Sequence, residues 1–253
     1  MDNGFTPDEM MTIAAARQLR NGDVCFVGIG KPSAAANLAR ITHAPGVVLI
    51  YESGTIGAKP DVLPLSIGDG ELADYAETVV SVPEIFRYWL QGGRVDVGFL
   101  GAAQIDKFAN LNTTVIGGTY DKPKVRLPGA GGAPEIASGA NEIWIIANHK
   151  KRMFVEKLDF CTSAAGNSSN KRAPTTVISD LGVMVADAAS GELTLTALHP
   201  GITVEQVKDA TGWDLKVAAK VDFTPVPTTA ELAALRDLYA RTAAAHGTSG
   251  EGE

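Results

Sequence analysis

The chain alternates short, fully apolar runs with helical segments, and this alternation most constrains the fold that it can adopt. Residues 24–27 form an apolar run that ends at Gly28-Ile29-Gly30, and small residues suited to a packed helix follow at 33–40. A second apolar run, residues 47–51, ends at Glu52. Strands that are apolar along their whole length are typical of parallel sheets with both faces covered. The order strand, helix, strand therefore predicts an α/β fold built on a parallel sheet.

The same pattern continues along the rest of the chain. Further strands are predicted at 95–100, 112–116, 142–147 and 175–178, with an antiparallel pair at 182–186 and 193–198. Helices, several opened by a capping residue or proline, are predicted at 7–20, 83–91, 203–211 and 229–243. A polar loop is predicted at 166–172. Without an internal repeat or an interdomain linker, we predict one domain over residues 1–245 and a disordered, Gly/Ser/Glu-rich tail at 246–253.

Composition and charge exclude several classes of function. Hydrophobic residues make up 45% of the chain and charged residues 20%, which is ordinary for a soluble globular protein. The net charge of −7 argues against nucleic acid as a partner, because such binding depends on cations that neutralise phosphates. Cys25 and Cys161 have no CxxC spacing, so we expect neither a disulfide framework nor a zinc site. The absence of an export signal and of a membrane-length apolar run predicts a cytoplasmic protein with no membrane partner.

Three glycine-rich segments follow apolar runs, and ligands of open α/β sheets bind beyond the carboxyl ends of the strands. The first segment, residues 28–32, is similar to the start of a dinucleotide-binding motif. Ser33, however, stands where the third glycine of that motif would be. A tight strand-to-helix turn is an equally good interpretation of this segment.

The second segment, residues 52–57, places the Glu52 carboxylate at the end of an apolar strand. Burying a charge at such a place is costly unless it is paired or functional. The glycines of the segment allow backbone and substrate to approach closely. The alternative is that Glu52 caps a turn or pairs with a lysine such as Lys59.

The third segment, residues 128–134, is a run of glycine, alanine and proline. Consecutive small residues leave backbone N–H groups able to point at an oxyanion or a phosphate. Lys124 and Arg126 just upstream favour an anion site over the alternative, a flexible loop. His43, His149 and His199 have no spacing typical of a catalytic triad or a metal site, so we interpret them as structural or surface residues.

Taken in this order, the three segments resemble those of family I CoA-transferases. Glu52-Ser53-Gly54-Thr55-Ile56-Gly57 resembles the E-x-G-x-x-G element, whose glutamate is the nucleophile, and Gly129-Ala130-Gly131-Gly132-Ala133 resembles the G-x-G-G-A oxyanion loop. The segments 28–32 and 200–213 also resemble this family, so the match spans residues 24–213. Residues 64–68, 89–101 and 122–129 are similar to the small (β) subunit of the glutaconate and 3-oxoadipate type. Pro134-Glu135 departs from the hydrophobic-Asp pair of some relatives, which puts the exact oxyanion donors in question.

The resemblance implies a three-layer α/β fold on a parallel sheet, of the CoA-transferase (NagB/RpiA-like) type, and a ping-pong reaction without a metal or a cofactor, in which CoA is a substrate. Glu52 would carry the acyl group as a mixed anhydride and then CoA as a thioester. Lys124 and Arg126 would bind the unreactive carboxylate of a dicarboxylic substrate, the alternative being ordinary surface charges. The implied oxyanion donors are Gly131, Gly132 and Ala133, and the other implied substrate-binding residues are Gly28, Gly30, Ser53 and Gly54.

A separate α subunit is also implied, in a heterodimer or a heterotetramer. Succinyl-CoA is the first choice of donor and 3-oxoadipate the first choice of acceptor, followed by glutaconate or another short dicarboxylate. One alternative is a CoA-thioester hydrolase on the same fold, although such relatives tend to lack the glutamate. A more remote alternative is a sugar-phosphate isomerase-like or ligand-sensing module, but neither terminus offers a basic helix-turn-helix.

Overall fold

The computed structural model describes residues 4–165 and 173–247. In chain order, its elements are α1 (Pro7–Ala16), β1 (Val24–Val27), α2 (Lys31–Ile41), β2 (Val48–Ile50), β3 (Thr55–Ile56), α3 (Gly70–Asp74), β4 (Thr78–Val79), α4 (Val82–Glu84), a π-helix (Ile85–Leu90), β5 (Val97–Gly101), β6 (Gln104–Ile105), β7 (Leu111–Asn112), β8 (Val115–Gly118), β9 (Pro123–Arg126), α5 (Ala133–Gly139), β10 (Glu142–Ala147), β11 (Thr175–Ser179), β12 (Gly182–Ala186), β13 (Leu193–Leu198), α6 (Val204–Asp209), β14 (Lys216–Phe223) and α7 (Thr229–His246). The predicted polar loop at 166–172 lies outside the described residues, as do residues 248–253 of the predicted tail.

The chain forms two compact units. The first contains Met1–Phe99 together with Val226–Glu253, and the second contains Leu100–Pro225. The division into one domain over residues 1–245 and a tail stays a prediction, although α7 continues to His246. None of the helices in the described part of the chain is long and apolar enough to cross a lipid bilayer.

The first unit is built around parallel strands. Its strand order is β4-β3-β2-β1-β5, and β1 pairs in parallel with both β2 and β5. Strands β3 and β4 extend this sheet in antiparallel fashion. The helix α2 connects β1 to β2, as the alternation of apolar runs predicts, and the α/β class is confirmed.

Helices α1, α2 and α7 pack together in this unit. Met10 and Met11 of α1 are fully buried, and α7 contributes Leu235 and Leu238 to the core. The helix α1 begins with Thr6 and Glu9, which form the predicted capping box. The helix ends at Ala16 rather than near Arg20.

The second unit combines parallel and antiparallel strands in the order β10-β11-β12-β13-β14. Strands β10 and β11 are parallel, and β12 and β13 form the predicted antiparallel pair. Strand β14 pairs in parallel with β13, and the sequence did not predict it. Two short hairpins, β6–β7 and β8–β9, complete the unit.

The predicted strand at 112–116 is divided between these two hairpins. The side-chain oxygen of Asn112 accepts hydrogen bonds from the N–H groups of Thr114 (3.0 Å) and Val115 (3.3 Å), which turns the chain. Strand β7 therefore ends at Asn112 and β8 begins at Val115.

The predicted helix at 83–91 begins as one α-helical turn and continues as a π-helix. The N–H of Gln91 donates to Phe86 O, five residues earlier, at 2.8 Å. After the π-helix, the backbone of Gly92 lies close to that of Tyr88, since a Cβ on Gly92 would be 2.2 Å from Tyr88 O.

Two of the three notable histidines are buried in the second unit with structural partners. His149 bonds through its two ring nitrogens to Ser179 Oγ (3.1 Å) and Thr211 Oγ1 (2.9 Å), and its ring stacks on Phe154. Burial lowers the pKa of His149 to about 3, so the ring is neutral. His199 bonds to Ser179 O and also has its pKa lowered by burial. Their interpretation as structural residues is confirmed.

Candidate active site

Glu52 lies in the tight turn that joins β2 to β3 in the first unit. The turn is closed by two backbone hydrogen bonds, Gly54 N–H to Tyr51 O (3.0 Å) and Tyr51 N–H to Thr55 O (3.1 Å). Gly54 has φ of 107°, and a Cβ at this position would lie 1.9 Å from Val80 O. Only glycine fits here, so the glycine two residues after Glu52 is required by the turn itself.

The Glu52 side chain is half-buried and makes no hydrogen bond or ion pair with any other described residue. Lys59, its suggested alternative partner, bonds instead to Glu77, with 2.9 Å between Lys59 Nζ and Glu77 Oε1. The interpretation of Glu52 as the partner of Lys59 is therefore wrong. A carboxylate held at a strand end without a counter-ion is available for reaction.

A buried polar cluster anchors the strand behind Glu52. Tyr51 is fully buried, and its hydroxyl lies 3.0 Å from Ser33 Oγ and 3.2 Å from Asn37 Nδ2, both on α2. Burial raises the pKa of Tyr51 to about 12, so the phenol stays protonated. This explains Ser33, which the sequence presented only as a missing glycine. Two polar residues four apart in a helix of small residues were the available signal.

Gly28 and Gly30 form the turn between β1 and α2. Gly28 donates its N–H to Phe99 O at 3.0 Å, and a Cβ on Gly28 would also lie 3.0 Å from that oxygen. Gly30 has φ of 81° and is the N-cap of α2, with open space where a Cβ would stand. This geometry is that of the tight strand-to-helix turn. Because Phe26 aligns with Ile50 in the parallel β1–β2 register, Gly28 and Glu52 each lie two residues beyond an aligned pair.

Two hydroxyls that flank Gly54 are buried without a hydrogen-bond partner in the described structure, Ser53 Oγ and Thr55 Oγ1. Buried hydroxyls are usually paired, and a catalytic role is one of the recognised reasons for an exception. The sequence indicated Ser53 through the family resemblance, whereas nothing in the pattern indicated Thr55.

The glycine-rich loop at 128–134 belongs to the second unit and is held at both ends. Gly129 N–H donates to Thr113 O (3.0 Å), and Thr113 Oγ1 donates to Gly129 O (2.8 Å). Ala133 N–H donates to Ala130 O at 3.0 Å, which closes the turn into α5. The N–H groups of Gly131 and Gly132 have no acceptor among residues 4–165 and 173–247. The loop is therefore held by Thr113 at one end and by its own bond at the other, and two of its three predicted donors are unengaged.

Lys124 and Arg126 are exposed on β9, in the same unit as this loop. The Arg126 guanidinium lies 4.7 Å from the centre of the Tyr120 ring and donates a hydrogen bond to Tyr120 O. Lys124 packs its methylenes over Gly117 and, within the described chain, has no ion-pair partner. Arg126 is thus already engaged locally, and Lys124 is not.

The predicted site residues fall into two groups. Gly28, Gly30, Glu52, Ser53 and Gly54 lie at the carboxyl ends of β1 and β2 in the first unit, and Lys124, Arg126, Gly131, Gly132 and Ala133 lie along one stretch of the second. In the part of the chain that the structure covers, no three His, Cys, Asp or Glu side chains are grouped so that they could hold a metal ion.

Known proteins with similar sequences and structures indicate the family of this chain. The model of the coenzyme A transferase family matches residues 8–210. The 3-oxoadipate CoA-transferase B subunit of Pseudomonas knackmussii is 61% identical over 98% of each chain. The glutaconate CoA-transferase B subunit of Acidaminococcus fermentans is 34% identical over 87% of each chain. The crystal structure of glutaconate CoA-transferase from that organism superposes with a TM-score of 0.84 at 30% identity, over 92% of this chain and 94% of that chain.

These relatives confirm the resemblance to B subunits of the glutaconate and 3-oxoadipate type, and they do not favour the hydrolase alternative. They also confirm the predicted enzyme class, a CoA-transferase. The chain belongs to the coenzyme A transferase family.

Proposed function

We propose that this chain is the Glu52-bearing β subunit of a transferase that moves CoA between succinyl-CoA and 3-oxoadipate. The observation that carries the proposal is the half-buried Glu52 carboxylate, which has no partner among the described residues and is presented by a turn that only Gly54 can form. The choice of 3-oxoadipate is supported by a relative, 61% identical, that is named for this acid.

The proposed reaction has four exchanges at Glu52, two with the donor and two with the acceptor. A carboxylate oxygen attacks the thioester carbonyl, the C–S bond breaks and CoA leaves as the thiolate, which gives a mixed anhydride. The thiolate then attacks the glutamyl carbonyl, releases the donor acid and leaves a glutamyl-CoA thioester. An acceptor carboxylate reverses these steps and leaves as its CoA ester. Positioning must supply much of the rate, because well-oriented groups gain about 7–11 kcal/mol over free reactants.

Each exchange passes through an anionic tetrahedral centre that needs hydrogen-bond donors. We assign this role to the N–H groups of Gly131 and Gly132, each worth about 3 kcal/mol. Ala133 is the weaker candidate, because its N–H already donates to Ala130 O at 3.0 Å. The same reasoning favours Lys124 over Arg126 as the cation for the second carboxylate, because Arg126 is held on Tyr120.

The proposal includes a separate α subunit, supported by relatives that are named as B subunits and by the two-subunit decarboxylase AibA/AibB, whose structure superposes with a TM-score of 0.81. A heterotetramer, a cytoplasmic location and a reaction without a bound cofactor belong to the same proposal.

The test of the nucleophile is covalent trapping. The chain, co-expressed with its α subunit, is incubated with succinyl-CoA without an acceptor and analysed by peptide mass spectrometry. We expect a CoA adduct on the Glu52 peptide that is absent in Glu52→Gln, with kcat at least about a thousandfold lower in that variant. Glu77→Gln, which removes an exposed carboxylate bonded to Lys59, is the matched control and should keep the adduct.

The opposite outcome is equally clear. Steady release of CoA without an acceptor, unaffected by Glu52→Gln, would show a hydrolase whose base lies elsewhere. Rates with 3-oxoadipate and with glutaconate as acceptors, measured side by side, then test the choice of acid.

A further inference from the structure

Thr113, which belongs to no sequence motif discussed above, makes two hydrogen bonds to the glycine-rich loop. Its carbonyl accepts from Gly129 N–H at 3.0 Å, and its hydroxyl donates to Gly129 O at 2.8 Å. One residue further on, Thr114 O accepts from Leu127 N–H at 3.0 Å. Both backbone groups of Gly129 are therefore fixed by one threonine, although a glycine at φ of 107° has little conformational preference of its own.

The far end of the loop is closed by its own bonds. Ala133 N–H donates to Ala130 O, and Ile136 N–H donates to Gly132 O at 2.9 Å. The unengaged N–H groups of Gly131 and Gly132 thus lie between two fixed points, the N-terminal end of the loop, which Thr113 holds, and the C-terminal end, which continues into α5. Their direction depends on both.

Thr113 is itself held from behind. Its N–H donates to Thr162 Oγ1 at 2.9 Å, and Thr162 Oγ1 lies 2.7 Å from Thr114 Oγ1. The preceding residue, Asn112, is fully buried and donates to Gln104 Oε1 at 2.8 Å and to Val115 O at 2.7 Å.

The network continues to Asp159. Gln104 Nε2 donates to Asp159 Oδ2 at 2.9 Å, and Asp159 N–H donates back to Gln104 Oε1 at 3.0 Å. The same Oδ2 accepts from Gly117 N–H at 3.1 Å, which joins β8 to the network. Gln104, Asn112 and Thr114 are buried, whereas Asp159 is exposed and closes the network at the surface. Buried polar groups that are bonded to one another are stiff, so they fix the backbone on both sides of Thr113.

We propose that Thr113 is a positioning residue for the oxyanion donors of Gly131 and Gly132. This inference rests on the proposed function. Groups that stabilise a transition state must be held within about 0.5 Å of their productive positions, and the Thr113–Gly129 bonds supply that constraint on the entry side. The oxyanion exists only during the exchanges, so loosening the donors lowers kcat and leaves the KM for the acyl-CoA nearly unchanged.

The test compares four variants of the complex with its α subunit, and the fourth is Thr162→Val. Thr113→Val keeps the shape and removes the hydroxyl, and Thr113→Ser restores it. Thr196→Val is the matched control, since Thr196 Oγ1 also donates to a backbone carbonyl of the second unit, Val183 O at 3.1 Å. Kinetic constants, the melting temperature and the rate of CoA adduct formation at Glu52 are measured for each.

We expect kcat to fall by about 10–100-fold in Thr113→Val, with KM within about threefold of wild type. The adduct should form in this variant, only more slowly. Thr113→Ser should recover most of kcat, and Thr196→Val should keep the wild-type kcat. Thr162→Val acts one bond further from the loop and should lower kcat by a smaller factor, so it tests the same proposal if Thr113→Val does not fold.

Three results overturn the inference. The first is a Thr113→Val variant with the wild-type kcat and rate of adduct formation, or such a Thr162→Val variant where Thr113→Val does not fold. It would show that the Thr113–Gly129 hydrogen bonds have no role in the reaction. An equal loss of kcat in Thr196→Val would show a general loss of stability. Absence of the adduct in the wild-type complex overturns the proposed function, and this inference with it.

Discussion

At the scale of single residues, backbone conformation rather than side-chain pairing presents Glu52. The sequence indicated this glutamate through its place at the end of an apolar strand and through the glycine two residues later. Whether a charge at that place is paired depends on which cations reach it in space. Lys59 is seven residues away in the chain, yet it bonds to Glu77, and only the folded structure decides that.

Gly54→Ala tests the turn. A Cβ here meets Val80 O at 1.9 Å and the backbone has φ of 107°, so we expect a loss of more than about 2 kcal/mol in unfolding free energy. Gly30→Ala shares a positive φ but meets open space, and it should cost only about 1 kcal/mol. Gly68→Ala, at ordinary φ and without a close contact, should be neutral in the same urea titration. Equal stability of the three variants would contradict this account.

At the scale of elements, α1 and α7 are joined by their capping residues. Glu9 caps α1 and receives Arg236 from α7, with 2.6 Å between Arg236 Nε and Glu9 Oε1. Glu231 caps α7 and receives Arg17, which follows α1, through two hydrogen bonds of 2.7 and 2.6 Å. The sequence predicted the capping box of α1, because that pattern is local. The two arginine–glutamate bonds, however, join residues more than 200 positions apart, which no local pattern encodes.

Glu231→Ala removes a cap and an ion pair together. We expect a loss of about 1–3 kcal/mol in unfolding free energy, since the pair is partly exposed and contributes less than a buried one. Asp237→Ala breaks only the exposed pair with Arg241 on the same helix and should cost less than about 0.5 kcal/mol. Chemical denaturation measures the unfolding free energy of both variants. An equal loss in Glu231→Ala and Asp237→Ala would show that the cap of α7 contributes little.

At the scale of the whole molecule, the titrating groups whose pKa is lowered make the fold sensitive to acid. The pKa of His149 is lowered to about 3 by burial, and that of Glu231 to about 2, chiefly by the hydrogen bond from Arg17. In each case the unfolded chain takes up a proton at a higher pH than the folded protein does. Stability is therefore lost as the pH falls, from the ordinary histidine pKa of 6.5 downward for His149 and from 4.5 downward for Glu231.

We expect the melting temperature to fall between about pH 7.5 and pH 5, where the two buried histidines, His149 and His199, and not Glu231 dominate the change. His149→Gln should be less stable than wild type at neutral pH, because its bonds to Ser179 and Thr211 are disturbed. Its melting temperature should, however, fall less than that of the wild type when the pH is lowered, because the buried imidazole is no longer there to take up a proton. A wild-type melting temperature that does not change over this range would contradict the prediction.

The sequence by itself determined the alternation of strands and helices, the family and the place of Glu52 at the end of a strand, because apolar periodicity, capping residues and glycine turns are local properties of the chain. It also placed β10, β12 and β13 with their exact bounds. Only the tertiary structure decided the division of residues 112–116 between two hairpins, the role of Ser33 beneath Tyr51 and the grip of Thr113 on Gly129. Each of these depends on which hydrogen-bonding groups meet once apolar surface is buried. The Ser33–Tyr51 and Thr113–Gly129 bonds join residues 18 and 16 positions apart, which a local pattern does not show. The Asn112 bonds are local, but they interrupt a run whose composition favours a strand.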